Sequence, residues 1–148
     1  MLIYRIALAK YAYQLKASGR AARWNSNEKE VIYTSCSRSL ACLENIVHRN
    51  QKGLNQAFKV MIIEVPNDLK IDEVKLHDLP TDWKEFYKMP FTQSLGDQWI
   101  KKSKSLILKV PSAIIKEEYN FLINPLHPAF LRCKLLAVEE FEFDIRIK

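Results

Sequence analysis

The chain opens on an apolar run, Leu2-Ile3-Tyr4-Arg5-Ile6-Ala7-Leu8, which predicts a strand with Ile3, Arg5 and Ala7 on one side. Tyr11 to Leu15 suits a helical turn, and Ser18-Gly19 opens a long polar loop that reaches Lys29. Val31 to Thr34 is rich in β-formers and predicts a short strand, after which Ser37 or Ser39 caps a helix extending to about Asn50. The apolar arc of that helix is Leu40, Leu43, Ile46 and Val47. At about 100° per residue Glu44 falls roughly 40° from Leu40, at the margin of the buried face.

Farther along, Val60-Met61-Ile62-Ile63-Glu64-Val65 predicts a strand ended by Pro66-Asn67-Asp68. From Leu69 to Met89 the pattern weakens into an irregular connection, with Pro80 and Trp83 suggesting a turn into a short helix. Thr92 to Lys102 reads as a helix with Leu95 and Trp99 one turn apart. Ser105 to Val110 predicts a strand cut by Pro111, and Asn120 to Ile123 another, bounded by Asn124-Pro125. At the end Phe141, Phe143, Ile145 and Ile147 alternate with charged residues, the cleanest half-exposed strand pattern in the chain. Strands at both termini with few helices between them indicate an α+β fold with mixed or antiparallel sheets, not a doubly wound nucleotide fold.

Composition narrows the picture. The chain has 148 residues, 48% of them hydrophobic, enough for one core, and residues 1–148 read as a single domain. Arg5 interrupts the N-terminal apolar run and no small-residue cleavage site follows, so a signal peptide is not expected. No apolar run is long enough to cross a bilayer, and a cytoplasmic protein without membrane attachment is the expectation. Cys36, Cys42 and Cys133 lack metal-ligand or disulfide-framework spacing and read as small buried hydrophobes; no metal site is expected.

The formal net charge of +6 suits nucleic acid, a membrane surface or a small polyanion. The tight basic cluster Lys101, Lys102 and Lys104 lacks interleaved aromatics and reads as a solvated helix end, so direct nucleic-acid binding is not expected. A nuclease, a basic nucleic-acid binder and a non-enzymatic interaction module remain the alternative classes.

The chemistry gathers in one supersecondary unit: Arg23-Trp24-Asn25 in a loop, Tyr33 in the strand that follows, and Glu44 on the next helix. An anion binder, a stacking ring and a carboxylate suit a nucleotide. No glycine-rich turn joins a strand to a helix, so side chains must hold any phosphate. Arginine does this with paired hydrogen bonds and a permanent charge, and Arg23 and Arg5 are the candidates.

Arg23-Trp24-Asn25, Tyr33-Thr34-Ser35, Leu40-Ala41 with Glu44, Gly96-Asp97, Val110-Pro111-Ser112 and Asn124-Pro125-Leu126-His127-Pro128 together resemble the RES domain, named for an arginine, a glutamate and a serine that match Arg23, Glu44 and Ser112. One departure is Ala21-Ala22, where the family commonly carries Gly-Gly. The resemblance implies a fold similar to ADP-ribosyltransferases and the toxin of a bacterial toxin–antitoxin pair that consumes NAD. Cleavage would use water or phosphate as acceptor, or pass ADP-ribose to a protein. The implied partner is an antitoxin with an Xre-type helix-turn-helix part.

Breaking the nicotinamide–ribose bond leaves positive charge on the ribose, as in glycoside hydrolysis. Glu44 is the candidate to oppose that charge, Tyr33 to stack on the nicotinamide, and Arg23 to clamp the diphosphate. Ser112 and Asn124 would donate neutral hydrogen bonds to ribose or phosphate, and Arg5 is a second phosphate ligand. NAD is then a substrate, with no permanently bound cofactor.

Overall fold

The computed structural model describes residues 1–48 and 57–147. The described residues hold nine α-helices and β-strands: β1 (Leu2–Leu8), β2 (Ile32–Ser35), α1 (Arg38–His48), β3 (Phe58–Glu64), β4 (Ile71–Glu73), α2 (Met89–Lys102), β5 (Ile107–Pro111), β6 (Tyr119–Ile123) and β7 (Lys134–Phe141). The strands form one sheet in the order β4-β5-β6-β2-β1-β3-β7. Among the described residues β4 and β5 pair in parallel, and the other neighbouring strands are antiparallel. The expected α+β class with a mixed sheet therefore holds. Among the described residues no helix is long and apolar enough to cross a membrane.

β3 is covered on both faces, with Met61 and Ile63 in one core cluster and Val60 in another, which explains why Val60, Met61, Ile62 and Ile63 are all buried in succession. Ile3, Ile32, Met61, Ile63, Ile107 and Ile123 pack together in one core cluster. Ile6, Ala41, Phe58 and Val60 form a second cluster beneath α1. A third gathers Trp24, Trp83, Trp99, Leu108, Val110 and Leu122, where α2 and the loops beside it meet the sheet.

The feature that makes room for a site is a split in the middle of the sheet. β1 pairs with β3 along its whole length, from Leu2 with Glu64 to Leu8 with Phe58, but meets β2 only at Tyr4 with Ser35. Beyond that pair the strands diverge, and their backbone groups need other partners. The Ile6 carbonyl finds one in the side chain of Asn45 on α1, whose Nδ2 donates to it at 3.1 Å.

Several expected boundaries move. The terminal strand lies over Lys134–Phe141 instead of residues 141–147, because its backbone pairs with β3. The alternating segment after it turns back on itself: Asp144 Oδ1 accepts from the Arg146 amide at 2.9 Å, and Ile145 is 98% exposed. The helical turn expected at residues 11–15 is a 3-10 turn at Ala9–Tyr11. The connection expected to be irregular contains β4, and α2 begins at Met89, three residues early, with Pro90 in its first turn where no amide donor is needed. Ser37, not Ser39, caps α1, its Oγ accepting from the Leu40 amide at 3.1 Å. The expected end of α1 at Asn50 lies outside the described residues.

Burial pushes the Cys133 thiol up to about 11, in keeping with a small core hydrophobe. Cys36 and Cys42 are only half-buried.

Candidate active site

A cleft of about 340 Å³ occupies the split, lined by Tyr4, Arg5 and Ile6 from β1, Tyr33, Thr34 and Ser35 from β2, and Ala41, Glu44, Asn45 and His48 from α1, with Arg23 and Trp24 from the loop before β2. The inward face of α1 is turned from the arc that periodicity predicts. Leu43 and Val47 are exposed, while Leu40 and Ala41 are buried, and this rotation carries Glu44 and Asn45 toward the sheet.

Glu44 is fixed at one oxygen. Asn120 Nδ2 donates to Oε1 at 2.7 Å and Ser112 Oγ donates to the same oxygen at 3.0 Å. Oε2 has His48 Nε2 at 3.6 Å, beyond a hydrogen bond but close enough for a charge pair when the imidazole is protonated. Burial, the largest influence, by itself raises the carboxyl; the neighbouring His48 imidazole and the hydrogen bonds from Asn120 and Ser112 together outweigh it and hold the group below the usual carboxylate range. The carboxylate is thus ionised and aimed before any ligand arrives.

Ser112 acts through Glu44 and does not line the cleft. It is fully buried, and its Oγ also accepts from the amides of Ile114 and Ile115 at 3.0 and 3.1 Å. With one proton donated and two accepted bonds, the hydroxyl has nothing left for a ribose or phosphate. Asn124 is elsewhere altogether. Its Oδ1 accepts from the Leu126 amide at 3.0 Å in an Asx turn, and its own amide donates to the Leu106 carbonyl at 3.0 Å. The structure places Asn124, expected as a ribose or phosphate contact, in a turn outside the cleft, and Asn120, four residues earlier, is the amide that meets Glu44.

Tyr33 presents its ring to the cleft while its hydroxyl is spent. The oxygen donates to Asn25 Oδ1 at 2.5 Å and accepts from the Trp24 amide at 3.2 Å. Burial, the first cause, pushes its ionisation far above the ordinary tyrosine value, so it remains a neutral phenol. Asn25 in turn donates from Nδ2 to the carbonyls of Arg20, Ser26 and Lys29, making it the hub of the loop.

Arg23 stands on a platform that periodicity did not reveal. Its guanidinium carbon lies 5.7 Å from the centre of the Trp83 ring, and Nη1 donates to the Lys84 carbonyl at 3.1 Å. Burial lowers the Arg23 pKa from its ordinary value, partly offset by the nearby Glu44 charge. Arg5 lines the same cleft from β1, and burial is the cause that lowers it too. Its guanidinium has no carboxylate partner among the described residues.

The Arg23 loop is held by one face of α2. Thr92 Oγ1 donates to the Arg23 carbonyl at 2.6 Å, Gln93 Nε2 to the Ala22 carbonyl at 2.9 Å, and the Ser26 amide donates to Asp97 Oδ1 at 3.0 Å. The loop needs left-handed backbone only at Gly19 and Glu28, so Ala21-Ala22 stand without strain where the resembling family carries glycines.

The split therefore brings Arg5, Arg23, Tyr33 and Glu44 to one cleft, places Ser112 directly behind Glu44, and leaves Asn124 outside. His48, Asn120 and Trp83 are the site-forming residues that pattern reading missed. His48 had a detectable signal in its i,i+4 spacing from Glu44. The other two are brought in by β6 and by the chain before α2, with no local signal.

A model of the RES domain matches residues 2–145. "Toxin Res" of Yersinia enterocolitica is 34% identical over 156 aligned residues, spanning 100% of both chains. The "Prs ADP-ribosylating toxin" of Sphingobium sp. is 35% identical over 127 residues, covering 84% of this chain and 79% of that protein. Among solved structures, a chain of the M.tuberculosis MbcT-MbcA toxin-antitoxin complex superposes with a TM-score of 0.78 at 17% identity, covering 95% of this chain and 84% of that one; the likeness is one of fold.

Proposed function

The chain belongs to the RES domain family, and from that premise and the cleft we propose that it is the toxin of a toxin–antitoxin pair that cleaves the nicotinamide–ribose bond of NAD, with water or phosphate as acceptor. The observation that carries this reading is Glu44 itself: an ionised carboxylate fixed by Ser112 and Asn120, in a cleft whose other charged groups include the arginines Arg5 and Arg23.

As the glycosidic bond breaks, its electron pair passes to the pyridinium nitrogen and nicotinamide leaves as a neutral ring. The ribose is left with oxocarbenium character, which the Glu44 carboxylate opposes. Tyr33 offers an aromatic face for the leaving ring, held by Asn25 and Trp24. Arg23 offers Nε and Nη2 to the diphosphate, since Nη1 is engaged by backbone carbonyls. A water or phosphate oxygen then bonds to the anomeric carbon; water gives up a proton in doing so.

The experiment is to incubate folded protein with NAD, with and without phosphate, and to separate the products. Free nicotinamide with ADP-ribose or its 1-phosphate supports the reading. No nicotinamide under either condition overturns it.

A second reading, transfer of ADP-ribose to a protein, is favoured by the name of the Sphingobium relative, an ADP-ribosylating toxin. Labelled NAD with cell extract separates the two: radiolabel on a protein band supports transfer, and label confined to small molecules supports hydrolysis or phosphorolysis. The proposed setting is the bacterial cytoplasm, with an Xre-type helix-turn-helix antitoxin as partner. The fold neighbour is a chain of a toxin–antitoxin complex, and co-expression of a cognate antitoxin should restore growth to cells that express this chain.

A further inference from the structure

A second groove, of about 1020 Å³, adjoins the cleft and shares Arg5 and Ile6 with it. The rest of its wall comes from the segment after β1, including Lys10, Tyr11, Tyr13, Lys16 and Arg20, and no carboxylate lines it. Tyr11 and Tyr13, on either side of the buried Ala12, are 64% and 67% exposed, and Lys10 Nζ lies 5.0 Å from the centre of the Tyr11 ring. Charge is sorted in the same sense. Of the described arginines, Arg38, Arg132 and Arg146 pair with carboxylates away from the cleft, whereas Arg5, Arg20 and Arg23 have no such partner and stand at one cavity or the other.

The first cleft is at the small end of ligand sites, which run from about 300 to 1,000 Å³. It suits one nucleotide half better than two. We propose that the groove beside β1 receives the adenosine half of the dinucleotide, with Arg5 at the junction gripping the diphosphate that joins the halves. This rests on the NAD reading and extends it. The nicotinamide end lies against Tyr33 and Glu44, and the phosphates meet Arg5 and Arg23 from two sides. The adenine stacks on an exposed tyrosine ring, with Lys16 and Arg20 supplying the positive field. Base–aromatic stacking tolerates an open site, because the ring face needs no enclosing wall.

The test uses ADP, NAD and nicotinamide mononucleotide with the full chain and with a Lys16→Glu/Arg20→Glu variant. Both positions are exposed, and circular dichroism checks that the variant folds. ADP should bind the unaltered protein in a calorimeter, at least tenfold weaker to the variant, and the preference for NAD over the mononucleotide in kcat/KM should fall at least tenfold. Tyr13→Ser provides an uncharged check and should weaken ADP in the same direction. The inference is overturned if ADP does not bind, if both variants bind it as the unaltered protein does, or if a single-stranded oligonucleotide displaces it at lower concentration. Nicotinamide release with an unchanged NAD preference would leave the cleavage reading standing and remove the groove. Groove-dependent ADP binding with no nicotinamide release would do the reverse.

Discussion

A Cβ added to Gly96 on α2 would lie 1.6 Å from the Trp24 carbonyl oxygen. The loop that carries Arg23 therefore rests on the helix at a distance only glycine permits, and Thr92, Gln93 and Asp97 bind the loop on either side of that contact. Helix propensity alone favours alanine at a mid-helix glycine by about 1 kcal/mol. Here a clash with backbone opposes it, and overpacking of this kind costs about 1–3 kcal/mol.

Gly96→Ala is accordingly expected to destabilise the fold, lowering Tm by about 2–4 °C for each kcal/mol. Because the loop must lift, it should also cut nicotinamide release more than its stability loss explains. A thermal melt beside an activity assay measures both, and an unchanged Tm would show that the loop yields freely.

The bond from Ser112 to Glu44 makes a different forecast. A hydrogen bond to a charged group contributes about 1.5–3 kcal/mol. Ser112→Ala should therefore lower kcat about 10- to 100-fold with a smaller effect on KM, while stranding two amides and reducing stability. Asn124→Ala should lose about 0.5–1.5 kcal/mol of stability from its turn and leave kcat/KM for NAD close to that of the unaltered protein. Steady-state kinetics on the pair distinguishes a residue behind the carboxylate from one in a distant turn.

Tyr33→Phe keeps the ring and deletes the hydroxyl that Asn25 and Trp24 share. Leaving those buried groups unsatisfied should cost about 1–3 kcal/mol of stability. Binding of NAD should change little, whereas Tyr33→Leu should lose it through the missing aromatic face. Equilibrium unfolding in urea and calorimetric binding read the two effects separately.

The Glu44 carboxyl is held below its ordinary range, so its contribution to stability is fully present above the unfolded value of about 4.3 and is lost as pH falls through the lower folded value. The acid limb of kcat/KM should fall below the ordinary glutamate range for the same reason. Asn120→Ala removes one of the donors that lower the carboxyl and should move that limb upward. A pH–rate series on both proteins tests the sign, and a downward movement would contradict the assigned hydrogen bond.

Local pattern was enough to determine the first strands, both helices, the α+β class and the group Arg23, Tyr33 and Glu44, because each depends on short-range periodicity or on residue type. It misplaced the last strand, since residues 141–147 alternate apolar with charged side chains while β7, with Leu135 to Val138 apolar in succession, does not, and only pairing with β3 decides between them. It could not tell a ligand from a support. Ser112 and Asn124 are both polar residues next to proline, and what separates their roles is that β5 brings Ser112 behind α1 while Asn124 closes a turn after β6. The cleft itself is a tertiary event. It exists because β1 and β2 share a single pair before diverging, a long-range choice of partner that no stretch of either strand encodes.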